Sequence, residues 1–327
     1  MKLLNSVNKV PAGTMIIPLF VAAILNTLCP WILRIGSYSQ ALLSDDGLRI
    51  IMFLTLLFTG TQMKVKDIPE ALKRGGSHVL FKYLAGAGAY ILVFHFFGYE
   101  GILGVCSLSL LCALTNNNGS LYMGLMENYG DHADIVARSM FNLNSGPMLS
   151  LMTIGVSGAS FISWQEYATI LLPICIGILL SSIDEEIRVA TKTGNALILP
   201  IMGFILGANI DLEKVITAGF SGILLFIIVM LVTGPVAFIV DRFILKRPGY
   251  GGMATVSVAG NTIAVPAMIG QIVPAFLPYV KVATIQISCA AILSAVLCPF
   301  VVQWFAKHFG CPKYEKAFGK NQEIPAH

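Results

Sequence analysis

The chain has 327 residues, of which 56% are apolar and only 12% are charged. Soluble domains carry about 25% charged residues, so this composition excludes a soluble enzyme, a nucleic-acid-binding protein and a disordered chain. The small net charge of +4 indicates no polyanionic partner, and the pattern is typical of a polytopic protein embedded in a lipid bilayer.

Apolar runs long enough to cross a membrane follow one another along the whole chain. A spanning helix needs about 20 predominantly apolar residues. The ten predicted spans lie near residues 11–31, 47–63, 77–97, 101–127, 134–159, 165–182, 194–209, 217–240, 250–272 and 278–306. An amphipathic lead over residues 1–10 is predicted to lie at the membrane surface. We therefore predict an all-α polytopic membrane protein with a single transmembrane domain over residues 1–327.

The 21 Lys and Arg residues are divided unequally between the two membrane faces that ten spans define. Seventeen of them, including Lys82, belong to the face that carries both termini, and four belong to the other face. Basic residues are retained on the cytoplasmic side of membrane proteins. We therefore expect both termini to be cytoplasmic, including a tail over residues 311–327.

An internal repeat relates the two halves of the chain. Residues 60–68 resemble residues 207–215, and each stretch closes the second helix of a five-helix half. The loop over residues 64–76 has a net charge of +2, whereas residues 209–216 have a net charge of −1. An odd number of spans inverts the second half relative to the first, and inverted repeats are typical of secondary transporters. We predict inverted repeats over residues 1–160 and 161–310.

The fourth and ninth helices are interrupted by polar and flexible residues at membrane depth. These residues are Thr115, Asn116, Asn117, Asn118 and Gly119 in the fourth helix and Gly260, Asn261 and Thr262 in the ninth. Asparagine and glycine are poor helix formers, and unwound backbone at this depth is tolerated only inside protein or beside a water-filled cavity. We predict that both helices are broken here.

Each break would leave free backbone N–H and C=O groups near the midplane of the membrane. The half-helices that begin near Gly119 and Thr262 would direct their positive dipole ends at a common point, which favours an anionic group. Carbonyl and amide oxygens would remain to hold a cation. The alternative is that these polar residues only pack helices together, but two breaks at corresponding positions favour a binding site.

The fifth helix contains a second set of polar residues, Asn142, Asn144 and Ser145. We interpret them as contacts to a ligand or an ion, because polar groups within a span usually face the interior of the bundle. The alternative is that they form hydrogen bonds between helices. Neutral oxygens for a sodium ion would come from Asn116, Asn117, Asn144 and Ser145.

Most other ionisable residues lie at the ends of the spans. Glu127, Asp131, Asp134 and Arg138 are predicted to form a solvated cytoplasmic cluster. The spans contain no nucleophile–base pair and no set of metal ligands, so we expect neither an enzyme nor a cofactor.

The sequence resembles the bacterial 2-keto-3-deoxygluconate permeases over the range from about Val10 to Phe305. The residues that carry the resemblance are Val10-Pro11-Ala12-Gly13, Asn118-Gly119 with Leu121-Tyr122, Ser145-Gly146-Pro147, Ile183-Asp184 with Glu186 and Arg188, Ile210-Asp211-Leu212, Ala259-Gly260 with Pro266, and Val273-Pro274-Ala275-Phe276.

The resemblance implies import of a six-carbon keto-deoxy sugar acid by cation symport, usually proton symport, across the bacterial inner membrane. It also implies the fold of the bile acid/sodium symporters, in which a panel domain packs on a core domain with two crossed, broken helices. Carried over by position, the crossing residues would be Asn116, Asn117, Asn118, Gly119, Gly260, Asn261 and Thr262.

This sequence departs from the family pattern at two positions. Some members place an acid where Thr115 stands and another where Asn144 stands, and both are neutral here. The coupling cation therefore stays open between sodium and a proton, with an uncoupled uniporter or a symporter of another small organic anion as alternatives. The oligomeric state cannot be inferred from the sequence.

Overall fold

The computed structural model describes residues 13–63, 72–143, 146–208, 212–312 and 314. Over these ranges the chain is helical, and its β pairing is limited to two isolated bridges. The all-α class predicted from the sequence is confirmed. The predicted amphipathic lead, the compared loops at 64–68 and 209–211 and the tail beyond residue 314 lie outside the described residues.

Fifteen α-helices follow one another in the described chain. They are α1 Gly13–Leu28, α2 Pro30–Leu33, α3 Gly36–Leu42, α4 Asp45–Thr61, α5 Ser77–Phe97, α6 Ser107–Thr115, α7 Gly119–Tyr129, α8 His132–Leu143, α9 Met148–Ser157, α10 Trp164–Ile183, α11 Glu185–Gly207, α12 Leu212–Ile239, α13 Tyr250–Ala254, α14 Val265–Ile272 and α15 Val280–Phe309. The π-helical turns are Leu72–Gly76 and Val240–Ile244, and the 3₁₀ turns are Gly98–Glu100, Asn261–Ala264 and Pro274–Tyr279.

Four helical segments of the described chain are long and apolar enough to cross a membrane. They are Leu72–Glu100, Trp164–Ile183, Gly219–Ile244 and Pro274–Phe309. They coincide with the predicted spans three, six, eight and ten, and large apolar side chains are exposed along them. A soluble protein buries such surface, so these segments identify an integral membrane protein.

Two predicted spans differ in detail from the structure. The fifth is not continuous, because α8 ends at Leu143 and α9 begins at Met148. Pro147 immediately precedes α9, where a fixed φ suits a helix start but cannot continue the helix before it. In the ninth span the unwound stretch covers residues 255–260, earlier than predicted, and Asn261–Ala264 already form a 3₁₀ turn.

The helices pack in two groups. In the first, α1 lies along α11, α4 lies along α10, and α4 also contacts α11. In the second, α5 packs on α6 and α12, and α12 packs along α15. The 3₁₀ turn Asn261–Ala264 contacts α11, so the broken ninth span lies where the two groups meet.

Gly60 and Gly207 each allow a close helix approach in the first group. A Cβ at Gly60 of α4 would overlap the carbonyl of Ile174 in α10, and a Cβ at Gly207 of α11 would overlap the carbonyl of Leu19 in α1. Small residues let the backbones of membrane helices approach each other in this way.

Candidate substrate-binding crossover

The fourth predicted span is broken at residues 116–118, between α6 and α7. The Asn116 N–H donates to the carbonyl of Cys112 at 3.3 Å, which ends α6. Asn118 caps the next helix, because its Oδ1 accepts a hydrogen bond from the Leu121 N–H at 3.0 Å. Asparagine is among the preferred N-cap residues, so the sequence both ends one helix and starts the next.

The break in the ninth span meets the break in the fourth. Asn118 Nδ2 donates to the carbonyl of Val258 at 3.2 Å. The Val258 N–H in turn donates to the hydroxyl of Ser294 on α15 at 3.0 Å. We call the region formed by residues 116–118 and 255–260 the crossover. Side chains thus supply the hydrogen bonds that unwound backbone needs at membrane depth.

A buried lysine joins the two breaks. Lys82 of α5 is 1% exposed, and its Nζ donates to the carbonyls of Asn116 and Thr255, both at 2.8 Å. The count of basic residues places Lys82 near the face that carries both termini, but its side chain is buried and does not reach solvent. Its side chain points from α5 into the protein, where the two breaks provide carbonyl oxygens that no helix uses.

Several buried polar atoms beside the crossover have no hydrogen-bond partner among the described residues. They are Asn116 Oδ1, both amide atoms of Asn117, Ser257 Oγ and Thr262 Oγ1. Asn117 and Thr262 are each 1% exposed. Buried polar groups are nearly always paired, and each exception needs an explanation. A polar ligand at the crossover would satisfy these atoms.

The structure gives different surroundings to the other predicted site residues. The Thr115 hydroxyl donates to the Leu111 carbonyl at 2.7 Å and lies 2.8 Å from the hydroxyl of Ser150. Gly119 is buried at the start of α7, whereas Gly260 and Asn261 are partly exposed at the end of the second break. All four residues lie at or next to the two breaks along the chain.

The second polar set is described only in part. Asn142 lies in α8, but its side chain is not among those described, and Asn144 and Ser145 lie outside the described residues. Their contribution to the site stays a prediction.

The acidic cluster predicted to be solvated contains a buried ion pair, which corrects the prediction. Asp134 is fully buried, and its Oδ2 accepts a hydrogen bond from Nη2 of Arg247 at 2.6 Å, while Arg74 contacts its other oxygen at 3.2 Å. The Tyr250 hydroxyl donates to the same carboxylate at 3.2 Å. Arg247 lies more than a hundred residues along the chain, so local sequence could not reveal this partner.

Two groups of this cluster have shifted pKa values. Burial on its own would raise the pKa of Asp131, but Arg74 and Arg247 hold it below its usual range. Burial likewise opposes the charge of Arg247, but its hydrogen bonds to Asp134 outweigh that cost and raise its pKa. Both groups therefore remain ionised at neutral pH, and Arg247 holds the first turn of α8 against the loop before α13 through Asp134.

A second buried pair lies one helical turn from Lys82. His78 of α5 and Asp241, which follows α12, are both buried, and His78 Nε2 lies 3.2 Å from Asp241 Oδ1. Asp241 Oδ2 accepts the Gly249 N–H at 2.9 Å. Neither this pair nor the buried contacts of Lys82 were predicted from the sequence. The available signal was the i, i+4 spacing of two ionisable residues inside an apolar helix.

Long apolar helices, two broken segments that meet, and buried polar atoms at their junction define an integral membrane protein of the permease class. A family model described as 2-keto-3-deoxygluconate permease matches residues 4–311. The chain belongs to the 2-keto-3-deoxygluconate permease family, a family of transporters and not of enzymes, as the sequence predicted.

Three relatives illustrate how far the similarity extends. The chain is 34% identical over 307 residues to 2-keto-3-deoxygluconate permease 1 of Salmonella typhimurium, covering 94% of this chain and 96% of the relative. It is 31% identical to the 2-keto-3-deoxygluconate permease of Xanthomonas axonopodis pv. citri, covering 94% and 98%. It is also 31% identical to that of Pectobacterium carotovorum subsp. carotovorum, covering 96% and 100%.

Proposed function

We propose that this protein imports 2-keto-3-deoxygluconate, or a closely similar sugar acid, across the bacterial inner membrane by cation symport with alternating access. The observation that carries the proposal is the set of buried polar atoms without partners at the crossover. Relatives named 2-keto-3-deoxygluconate permease align with nearly the whole chain, which favours this substrate.

The chemistry of the crossover suits a hydroxylated carboxylate. The free amide of Asn117 offers both a donor and an acceptor, and the hydroxyl of Thr262 offers the same pair. A sugar acid presents several hydroxyls and one carboxylate, so it can pair with every one of these atoms. The helix α7 begins directly after the first break, so its N-terminus adds a positive dipole end there.

The packing of the two close-contact glycines supports the proposed inverted repeats. Gly60 and Gly207 occupy the same position in the compared stretches of sequence. Gly60 approaches α10, the first helix of the second half, and Gly207 approaches α1, the first helix of the first half. A two-fold axis between the halves 1–160 and 161–310 would exchange these two contacts.

Alternating access would then be movement of one helix group against the other. The group of α1, α4, α10 and α11 contacts the crossover through the turn Asn261–Ala264. A site at the junction of two bodies can be opened to either side by a rigid-body movement, as in other transporters built from inverted repeats. We expect both termini to face the cytoplasm.

The coupling cation of the proposal is a proton or a sodium ion. Asn116 Oδ1 and Asn117 Oδ1 are neutral oxygens without partners among the described residues, and hard cations prefer oxygen ligands. They support a sodium site to which Asn144 and Ser145 would add the remaining oxygens.

The test is uptake of labelled 2-keto-3-deoxygluconate into proteoliposomes that contain the purified full chain. Uptake is driven first by a sodium gradient at constant pH and then by a pH gradient in sodium-free buffer. Symport predicts accumulation above the equilibrium level with one of the two gradients. Equilibration of 2-keto-3-deoxygluconate without accumulation would identify a uniporter. If the protein takes up another organic anion efficiently but not 2-keto-3-deoxygluconate, this substrate is excluded.

A further inference from the structure

The position of Lys82 is unusual for a lysine in a membrane helix. Its side chain is 1% exposed, and no described carboxylate forms an ion pair with it. A buried charge normally has an opposite charge as its partner, because an isolated ion in an apolar interior is very costly. The partners of Lys82 are instead two carbonyl oxygens, one from each break.

The number of hydrogen bonds suits both protonation states of this amine. A neutral amine has two N–H donors, and the carbonyls of Asn116 and Thr255 use both at 2.8 Å. The protonated amine has three donors, so the third is left for an acceptor at the crossover. A carboxylate bound there would supply both that acceptor and the missing negative charge.

Few titratable side chains face Lys82 from the neighbouring elements. His78 lies one turn away on α5 and pairs with Asp241, which follows α12, and the Arg247–Asp134 pair lies beyond them. Cys112 on α6 is buried, and Cys298 on α15 donates its S–H to the Met253 carbonyl. The turn Leu72–Gly76 contributes Lys73, which is exposed, and Arg74, which pairs with Asp131 and Asp134.

We propose that Lys82 carries the coupling proton and binds the substrate carboxylate in its protonated form. This inference rests on the proposed function and identifies its cation as a proton. An external proton adds to the free electron pair of the neutral amine and forms the ammonium group. Its third N–H then donates to the carboxylate of the sugar acid, so the loaded crossover carries no net charge from this pair.

Release reverses the same step. On the cytoplasmic side the sugar acid leaves, the ammonium group returns its proton to water, and the neutral amine again bonds only the two carbonyls. One proton therefore enters with each substrate molecule. The scheme couples a proton without any carboxylate among the described residues of the crossover.

A purely structural role would have different consequences. A lysine that only joins the two breaks would stabilise the fold, but substrate binding would then take up no proton. The discriminating quantity is the number of protons taken up per substrate molecule bound. Isothermal titration calorimetry in two buffers of different ionisation enthalpy measures this number.

The experiment uses the purified full chain and 2-keto-3-deoxygluconate at about pH 8, where the substrate carboxylate is fully ionised. The wild-type protein is expected to take up close to one proton per substrate bound. Lys82→Arg keeps a permanent charge and is expected to bind without proton uptake. Lys82→Met is expected to bind about ten- to a hundredfold more weakly, because a charged hydrogen bond is lost.

Lys73→Met is the matched control, since Lys73 is exposed just before α5, and it should keep the affinity and the proton uptake of the wild type. Thermal unfolding of each variant establishes that it is folded. Substrate binding by the wild type without proton uptake, or wild-type proton uptake in either folded Lys82 variant, would overturn the assignment to Lys82. Absence of any substrate binding by the wild type would instead show that the proposed function itself fails.

Discussion

Two threonines beside the crossover differ in what their hydroxyls contact. Thr115 bonds the Leu111 carbonyl and the hydroxyl of Ser150, whereas Thr262 Oγ1 is buried with no partner among the described residues. A paired hydroxyl contributes to folding, and an unpaired one contributes only when a ligand arrives. We therefore expect Thr115 to stabilise the fold and Thr262 to bind the substrate.

Replacement of each threonine by valine tests this difference. Thr262→Val should leave the unfolding temperature unchanged or slightly higher and lower the affinity for 2-keto-3-deoxygluconate about two- to tenfold, because a neutral hydrogen bond to the substrate is lost. Thr115→Val should cost about 1–3 kcal/mol of stability. Thermal unfolding measures the change in stability, and equilibrium binding measures the change in affinity. If both variants lost affinity equally and neither lost stability, Thr115 and Thr262 would not differ in role.

The buried pair of Asp134 and Arg247 provides a second residue-scale prediction. Arg247→Met leaves the buried carboxylate without its main partner, so we expect a loss of about 3–5 kcal/mol, measured by thermal unfolding in detergent. Asp46→Asn is the control, because Asp46 and Arg49 form an exposed pair 3.3 Å apart, and such pairs contribute little. Equal stability of the two variants would show that the buried network does not hold this end of the protein together.

At the scale of elements, the sequence predicted the two broken helices but not all of their boundaries. Consecutive asparagines at residues 116–118 are a strong local signal, and the structure breaks the helix there. The second break covers residues 255–260 because Ser294, distant in sequence, bonds the Val258 backbone. Local propensity cannot predict a boundary that a distant side chain determines.

The close approach of helices at Gly60 and Gly207 leads to an element-scale prediction. Gly60→Ala or Gly207→Ala would force a methyl group against a backbone carbonyl, and overpacking of this kind typically costs about 1–3 kcal/mol. We expect lower unfolding temperatures and reduced transport in both variants. Gly88→Ala on α5 is the control, since nothing lies within 4 Å of the added Cβ. If both alanine variants keep the unfolding temperature and the transport rate of the wild type, these two contacts no longer support the inverted repeat.

For the whole molecule, the count of basic residues predicts the orientation but not the buried contacts of Lys82. The count assigns each residue to the nearest loop, whereas the α5 helix carries Lys82 inward to the two breaks. A pairing of residues more than 30 positions apart is invisible to such a count. The buried partners of Asp134 escaped the sequence analysis for the same reason.

The orientation of the two halves can be tested by cysteine labelling from outside intact cells, in a background without the native cysteines. A cysteine at residue 70 should be labelled only after the cells are made permeable, whereas a cysteine at residue 212 should be labelled directly. Opposite exposure follows from the opposite charges of the two loops. Labelling of both positions from the same side would exclude the inverted repeat.

Binding of the substrate at the crossover is tested by the affinity of the Asn117→Ala protein for 2-keto-3-deoxygluconate. Asn117 is buried with both amide atoms unpaired among the described residues, so its truncation should not destabilise the fold. If the substrate carboxylate or its hydroxyls bond this amide, the equilibrium dissociation constant should rise about ten- to a hundredfold. Asn128→Ala, in the exposed part of α7, should bind as the wild type does. An Asn117→Ala protein with wild-type affinity would show that the substrate does not bind at the crossover.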